Sequence, residues 1–451
     1  MVVEGWLDRA ARTRPGRTAV QTPGKSWSYA ELLAAARRGA DELTARGVRP
    51  SQSVAIALPG GLAFAQALHA CLLLGAVAVP VDPRSPPAER ARIAGGAAFL
   101  LDEPLGVGEV SVEAGGGAEG GRGREAVEHD LDATAVVIHT SGTTASPRPV
   151  ELTYGNLLWS ALGSAVAMGL DPEERWLCAL PVCHVGGLSI LMRSAVYATT
   201  AVVHERFQTE QVLRALREQQ ITLVSLVATT LARLLDAGLR NPPALRCALT
   251  GGGPVPAALL ERARAAGVPV SLTYGLTQSS SQVTSTPVAA IAEGRASAGP
   301  PLFCTRVLIS AEDEIFVQGP TVAPAELAAD GWLHTGDLGS LDDDGRLTVL
   351  GRKSETIVSG GENVAPAEVE AVLEAHPGVL EAAVTGRPDD HWGEQVTAIV
   401  VPRPAHDLQS EELRKHCERM LAPYKVPRLI MLAHEPLART PSGKLLRSEL
   451  R

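Results

Sequence analysis

Apolar and polar positions divide the chain into a strand and helix rhythm. Residues 4–50 open with a helix-like pattern. Within it, Ser26-Trp27-Ser28-Tyr29-Ala30-Glu31 places a serine before a helix, with Glu31 at the capping-box position. Leu32, Leu33, Ala36 and Leu43 then recur at helical spacing as an apolar stripe. Val54 to Leu58 is an apolar run of strand length, Pro59-Gly60-Gly61 turns the chain, and Leu62 to Leu74 follows as a helix. Gly75 to Pro83 supplies the next strand and its exit. Strand, helix and strand in this order predict a parallel sheet covered by helices.

The rhythm continues after Gly106 to Asp130, a Gly- and Glu-rich stretch expected to be a mobile surface connection. Ala135-Val136-Val137-Ile138 is predicted as a buried strand, and a helix is predicted to start in Leu157 to Leu162. A strand is expected to end at Pro181, with a helix beginning near Gly187 and His184 at the junction. Residues 221–235 predict another strand and helix, Ala248 to Pro254 a strand running into a glycine turn, and Ile315 to Pro320 a strand. Towards the C-terminus, Pro366 to Leu373 is an amphipathic helix and Val396 to Val401 a strand. No internal repeat is apparent.

Between the strand at 135–138 and the helix after it lies Thr140-Ser141-Gly142-Thr143-Thr144-Ala145-Ser146-Pro147-Arg148. Hydroxyls, free backbone N–H groups and a basic residue in a strand–loop–helix order suit a phosphate cradle. The Gly-Lys-Ser/Thr of a Walker loop is missing. Alone, the stretch fits an ordinary polar turn equally well.

Composition narrows the field. At 451 residues the chain has room for two or three domains with sizeable cores. Hydrophobic content of 45% with 20% charged residues is that of a soluble globular protein, and only 4% aromatics means the core is mainly aliphatic. A net charge of −9 argues against a general nucleic-acid binder, although local basic pockets for phosphates remain open. The six cysteines, Cys71, Cys178, Cys183, Cys247, Cys304 and Cys417, form no CxxC pair or metal spacing. Buried thiols in a reducing cytosol are the expectation. Met1-Val2-Val3-Glu4 lacks the basic start and long apolar core of a signal peptide, so a cytoplasmic setting is expected. The longest apolar stretch, Ala63 to Val81, holds Gln66 and His69 and ends in a proline-bounded strand, so no membrane span is expected. A homodimer stays open.

The phosphate-loop stretch resembles that of the adenylate-forming superfamily of acyl- and aryl-CoA ligases, peptide-synthetase adenylation domains and luciferases. Further motifs match in order: Tyr274-Gly275-Leu276-Thr277, Gly331 to Asp337, Gly351-Arg352, Gly360-Gly361-Glu362-Asn363 and Ser442-Gly443-Lys444. The resemblance spans nearly the whole chain. It implies an α/β fold: a large N-terminal domain of parallel-rich sheets covered by helices over 1–351, a hinge at 352–354 and a small, mobile α+β cap domain over 355–451. Pro181 to Ser194 and the Ser281-Gln282 pair resemble o-succinylbenzoate–CoA ligases more particularly.

The resemblance also assigns roles. ATP is expected to contact Thr140, Ser141, Gly142, Thr143 and Thr144, with adenine at Gly251, Gly252 and Gly253, Tyr274 stacked on it, and Gly275 and Thr277 nearby. Asp337 is expected to hold the ribose hydroxyls, beside Arg352. Lys444 would stabilise the charge gathered on the transferring phosphoryl group, and Arg148, also placed in catalysis, would hold the β- and γ-phosphates with the loop and Mg²⁺. His184, Gly187, Ser189, Ser281 and Gln282 would border the acid, with His184 also placed in catalysis. Gly360, Gly361 and Glu362 would face CoA after rotation about Ser354. Mg²⁺ would meet Gln278 and Thr144.

These roles imply an ATP-dependent acid–CoA ligase, with o-succinylbenzoate as the expected acid. Ala145, Arg148 and Gln278 depart from the superfamily's usual glycine, lysine and glutamate. A carboxamide is a weaker ligand for a hard cation than a carboxylate. The departures admit a degenerate nucleotide- or acyl-adenylate-binding protein without turnover; within enzymes the alternatives are an aryl- or fatty-acyl-CoA ligase of secondary metabolism and a stand-alone adenylation domain that loads a carrier protein.

Overall fold

The structure is a computed structural model that describes residues 1–106, 126–140, 148–294, 296–389, 391–404, 406, 408–439, 445–447 and 450. Ser141, Gly142, Thr143, Thr144 and Lys444 lie outside the described residues, as does most of the Gly-rich connection.

An eight-stranded sheet runs from Thr284–Ser285 through Val270–Tyr274, Cys247–Thr250, Leu223–Leu226, Arg175–Cys178, Thr200–Val203 and Thr18–Gln21 to Ser26–Ser28. Its interior pairings are all parallel, and only the two edge pairs are antiparallel. The interior strands at 200–203, 223–226 and 247–250 are buried throughout, which explains their continuous apolar sequence. A second, five-stranded sheet has the order Phe99–Leu101, Ser53–Ile56, Val77–Pro80, Thr134–Thr140 and Arg148–Thr153. Helices pack against these sheets, and one apolar cluster spans both, from Trp6 to Ala323. The fold is therefore the expected parallel-rich α/β architecture.

Local chemistry sets several boundaries. Ser28 caps the helix Tyr29–Ala45, its hydroxyl accepting from the Glu31 N–H while the Glu31 carboxylate accepts from the Ser28 N–H. The helix Leu62–Leu74 stops at Gly75, which takes a left-handed conformation at φ 70°.

Other expectations need correction. Residues 4–50 open with the expected helix, Trp6–Thr13, and the strands Thr18–Gln21 and Ser26–Ser28 separate it from the helix Tyr29–Ala45. The segment after the phosphate-loop stretch is a strand, Arg148–Thr153, antiparallel to Thr134–Thr140, with Thr140 opposite Arg148. Val150 and Leu152 are buried there and Glu151 is exposed, a period of two that favours a strand. The expected helix follows, starting at Tyr154 and capped by Thr153 and Asn156. The described residues on either side of the expected cradle are thus antiparallel strand partners. The strand expected to end at Pro181 ends at Cys178, and its following helix is Val185–Tyr197. Glu128–Asp130, inside the expected mobile connection, pairs with Val2–Glu4.

A four-stranded antiparallel sheet follows, Arg306–Ile309, Glu314–Gln318, Leu333–Leu341 and Leu347–Arg352. After a single turn, Lys353–Glu355, the chain builds a separate sheet from Glu362–Val364, Ile357–Ser359, Gly393–Pro402 and Val379–Asp389, with Leu429–Leu432 added parallel to Gly393–Pro402. This sheet and the helices Pro366–Glu374 and Ser410–Met420 enclose an apolar cluster of their own.

Candidate active site

In the large sheet, the chain passes from Arg175–Cys178 to Thr200–Val203 on one side, then crosses back to Leu223–Leu226 on the other. The strands at 175–178 and 223–226 therefore flank a switch in strand order. Ligands of open parallel sheets bind at such a switch, beyond the carboxyl ends of the strands. The residues leaving those ends are His184 after 175–178, Gly251, Gly252 and Gly253 after 247–250, and Gly275 after 270–274. These expected site residues share the carboxyl edge of the sheet, and His184 alone among them leaves a strand flanking the switch.

Each is held by local structure. His184 is half-buried and precedes the helix Val185–Tyr197, and its carbonyl accepts from the N–H groups of Gly187 and Leu188. Burial works against ionisation of Asp82, at the exit of Val77–Pro80, but Arg84 at 2.8 Å and nearby His184 hold its carboxyl below the ordinary value. Neighbouring Cys183 is pushed up to about 12 by burial, so it is a packed thiol and not a nucleophile. Ser189 donates to the Gly186 carbonyl at 3.1 Å.

Gly275 is required by close approach. A Cβ there would lie 1.5 Å from the Ser281 carbonyl oxygen. The loop folds this tightly because Ser280 and Ser281 adopt positive φ, 55° and 96°, and the turn Thr277–Ser279 closes beneath them. Gln278 sits in that turn, its backbone carbonyl accepting from Ala323 at 2.8 Å. Gln282 is buried; its Nε2 donates to Ser285 at 2.7 Å, and its Oε1 has no partner among the described residues.

The carboxylate expected at the ribose, Asp337, comes from the antiparallel sheet. Asp337 and Arg352 are cross-strand partners, and Arg352 Nε lies 3.0 Å from Asp337 Oδ1. Asp337 Oδ2 accepts from the Tyr274 hydroxyl at 2.8 Å. Burial, and then the charge of Asp337, raises the Tyr274 pKa, so this hydroxyl stays protonated and donating. The expected nucleotide residues Tyr274, Asp337 and Arg352 therefore form one bonded chain. Tyr274 itself is largely covered by an apolar cluster with Val283, Ile315 and Leu333. Arg148 is exposed and approaches Glu326 at 3.9 Å.

One buried charged residue, Arg193, was not singled out from the sequence. Arg193, on the buried face of Val185–Tyr197, is only 2% exposed. Its Nη2 donates to Ser160 Oγ at 3.1 Å, and Ser160 donates to the Ser280 carbonyl at 2.6 Å. The guanidinium lies 5.6 Å from the centre of the Trp176 ring. Its Nε has no partner, and no carboxylate pairs with it among the described residues. Burial lowers its pKa to about 10, which leaves it cationic near neutrality. The available signal was a lone arginine among Leu188, Leu191, Met192 and Ala195, apolar positions at helical spacing.

The expected CoA-facing glycines have a structural reason to be there. Ser359 pairs with Glu362, so Gly360-Gly361 forms a two-residue hairpin turn with φ of 62° and 84°. Such a turn needs positive φ at both central residues. Ser354, the expected pivot, lies in the turn Lys353–Glu355.

Mg²⁺ fits this site only as a partner of phosphate. Among the described residues no group of three or more His, Cys, Asp or Glu could hold a metal ion. The oxygen of Gln278 and the hydroxyls of Thr277 and Thr140 are hard donors of the kind that complement a phosphate-bound Mg²⁺. No described helix is long and apolar enough to cross a membrane.

Comparison with known proteins identifies the family and the fold. The family model for AMP-binding enzymes matches residues 7–325, and that for the AMP-binding enzyme C-terminal domain matches 368–444. The chain is 38% identical to the 2-succinylbenzoate–CoA ligase of Bacillus subtilis, over 99% of this chain and 97% of the relative. Its fold matches o-succinylbenzoate CoA synthetase from Bacillus subtilis in complex with its acyl-adenylate intermediate, with a TM-score of 0.88 at 36% identity over 100% of this chain and 98% of the other. The same synthetase in complex with ATP and magnesium ion matches with a TM-score of 0.88 at 38% identity over the full length of both chains. The matched domains and the near-complete coverage establish that this chain belongs to the AMP-binding enzyme family.

Proposed function

We propose that this protein is an AMP-forming acid–CoA ligase whose acid is 2-succinylbenzoate, acting in the cytoplasm. The observation that carries the choice of acid is Arg193, a buried guanidinium without a carboxylate partner among the described residues, braced by Ser160 and the Ser280 backbone. A buried cation is costly unless an anion or hydrogen bonds compensate it. An acid bearing a second carboxylate supplies that anion, whereas benzoate or a fatty acid does not. Similarity to 2-succinylbenzoate–CoA ligases supports the same choice. Six free cysteines suit a reducing compartment.

The chemistry follows in two half-reactions. A carboxylate oxygen attacks the α-phosphorus of ATP, the bond to pyrophosphate breaks, and an acyl adenylate forms. Asp337, bonded to Tyr274 and Arg352, is positioned to accept from the ribose hydroxyls. Arg148 and Lys444 supply positive charge where phosphoryl charge accumulates. Mg²⁺, when bound, neutralises charge on the phosphates. CoA then attacks the adenylate carbonyl through sulfur, the thiol losing its proton, and AMP leaves. Rotation about Ser354 would exchange Lys444 for the Gly360–Glu362 hairpin beside the carbonyl.

A panel of acids in a pyrophosphate-release assay with ATP and Mg²⁺ tests the reading. 2-Succinylbenzoate should exceed benzoate by at least ~100-fold in kcat/KM, since a site built for polar groups rejects analogues lacking them. Equal use of benzoate or a medium-chain fatty acid would remove the assignment and leave a general acyl-CoA ligase. No pyrophosphate from any acid would favour a binding protein without turnover.

A further inference from the structure

Lys353 and Glu355, either side of Ser354, are held by opposite bodies. Lys353 Nζ lies 2.6 Å from Glu312 and 3.3 Å from Glu314, on the antiparallel sheet of the large domain. Glu355 instead accepts from Arg447 Nε at 3.0 Å. Arg447 also forms a fork on Glu370, in the helix Pro366–Glu374, at 2.6 and 3.0 Å, and donates to the Val384 carbonyl at 2.8 Å. On the other side of residues 440–444, Arg439 pairs with Glu381 at 3.1 Å. Arg439 and Leu445 face each other as an isolated antiparallel bridge, and the Leu446 N–H donates to the Ala438 carbonyl at 2.9 Å. Leu437 and Leu450 pack with Ala383 and Val401 beneath this bridge.

We propose that Arg447 is a positioning residue for the adenylation half-reaction: it ties the C-terminal stem of the segment carrying Lys444 to the hinge residue Glu355 and to the cap helix. The inference rests on the reading of Lys444 given above. A planar guanidinium satisfied by two carboxylates and a carbonyl fixes direction as well as distance, which a lysine could not reproduce. Apolar packing of Leu437 and Leu450 would hold the tail on the sheet without Arg447. Its fork adds orientation relative to the pivot. Adenylation needs that orientation, whereas attack by CoA occurs after Lys444 has withdrawn.

The test measures the half-reactions separately, pyrophosphate release without CoA and thioester formation from supplied acyl adenylate, together with thermal melting. Arg447→Gln should lower adenylation kcat by ~10–100-fold, the scale expected when a catalytic group is misplaced by about 1 Å. Thioester formation should stay within about threefold, and Arg447→Lys should recover only part of the loss, since it restores charge without the fork. A parallel fall in both half-reactions, or in neither, would overturn the inference. If Arg447→Gln does not fold, Glu355→Gln decides, because it keeps the Glu370 fork. A loss confined to adenylation supports the coupling, and an unchanged ratio of the half-reactions overturns it. Lys444→Ala is the control: retained adenylation there would sink the lysine reading, whereas its loss beside an unaffected Arg447→Gln would sink this inference alone.

Discussion

Replacing Arg193 by methionine separates substrate recognition from folding. Methionine keeps an unbranched stem in the same space and removes the guanidinium. In the free protein that group has one side-chain hydrogen bond, to Ser160 at 3.1 Å, a ring contact with Trp176 and an unpartnered Nε. Ser160 would keep its bond to the Ser280 carbonyl. Since an unpaired buried charge is unfavourable, the free variant should be as stable as the parent, or more stable by ~1 kcal/mol or more. In the complex the balance reverses. Removing one member of a buried charge pair costs ~3–5 kcal/mol, because the other charge is left in the interior uncompensated. At about 1.36 kcal/mol per tenfold, this predicts a fall in kcat/KM for 2-succinylbenzoate of roughly two to three and a half orders of magnitude. The KM for ATP should change little, as the Tyr274, Asp337 and Arg352 chain is elsewhere. Steady-state pyrophosphate release across acid concentrations, with thermal melting of the free protein, measures both halves. Efficiency retained within about tenfold would refute the carboxylate role, as that is below the smallest loss expected for a buried pair. A large drop in melting temperature would instead make Arg193 a structural residue.

Two further expectations concern the metal and the cap. Gln278→Glu should lower the Mg²⁺ concentration for half-maximal rate, because a carboxylate binds a hard cation better than a carboxamide; an unchanged or higher requirement would show that Gln278 does not touch the metal. Burial, with Glu370 close by, raises the Glu374 carboxyl from 4.5 to about 7. The folded state binds this proton more tightly than the unfolded chain, so the stabilisation is whole below about pH 4.5 and is lost as pH rises through about 7. Glu374→Gln should therefore leave stability nearly unchanged at about pH 5 and raise it at about pH 8, by no more than ~3 kcal/mol for a shift of that size. An equal effect in denaturant melts at both pH values would contradict the assignment.

Features that depend on neighbours in sequence were legible from the residues alone. The Ser28 and Glu31 capping box, the helix Leu62–Leu74 ending at Gly75 and the buried strands of the large sheet all follow from periodicity and short-range hydrogen bonding. Residue types and motif order likewise marked the glycine turns, Asp337 and Arg352. What escaped depends on partners far along the chain. The strand Arg148–Thr153, which was not expected, exists because Thr134–Thr140 offers its edge. Tyr274 meets Asp337 across 63 positions of sequence, Arg193 meets Ser160 across 33, and Arg447 meets Glu370 across 77. A lone arginine on an apolar face has the same sequence signature whether it is a packed cation or a recognition site. Only the tertiary structure decides, because the free energy of a buried charge is set by which distant groups surround it.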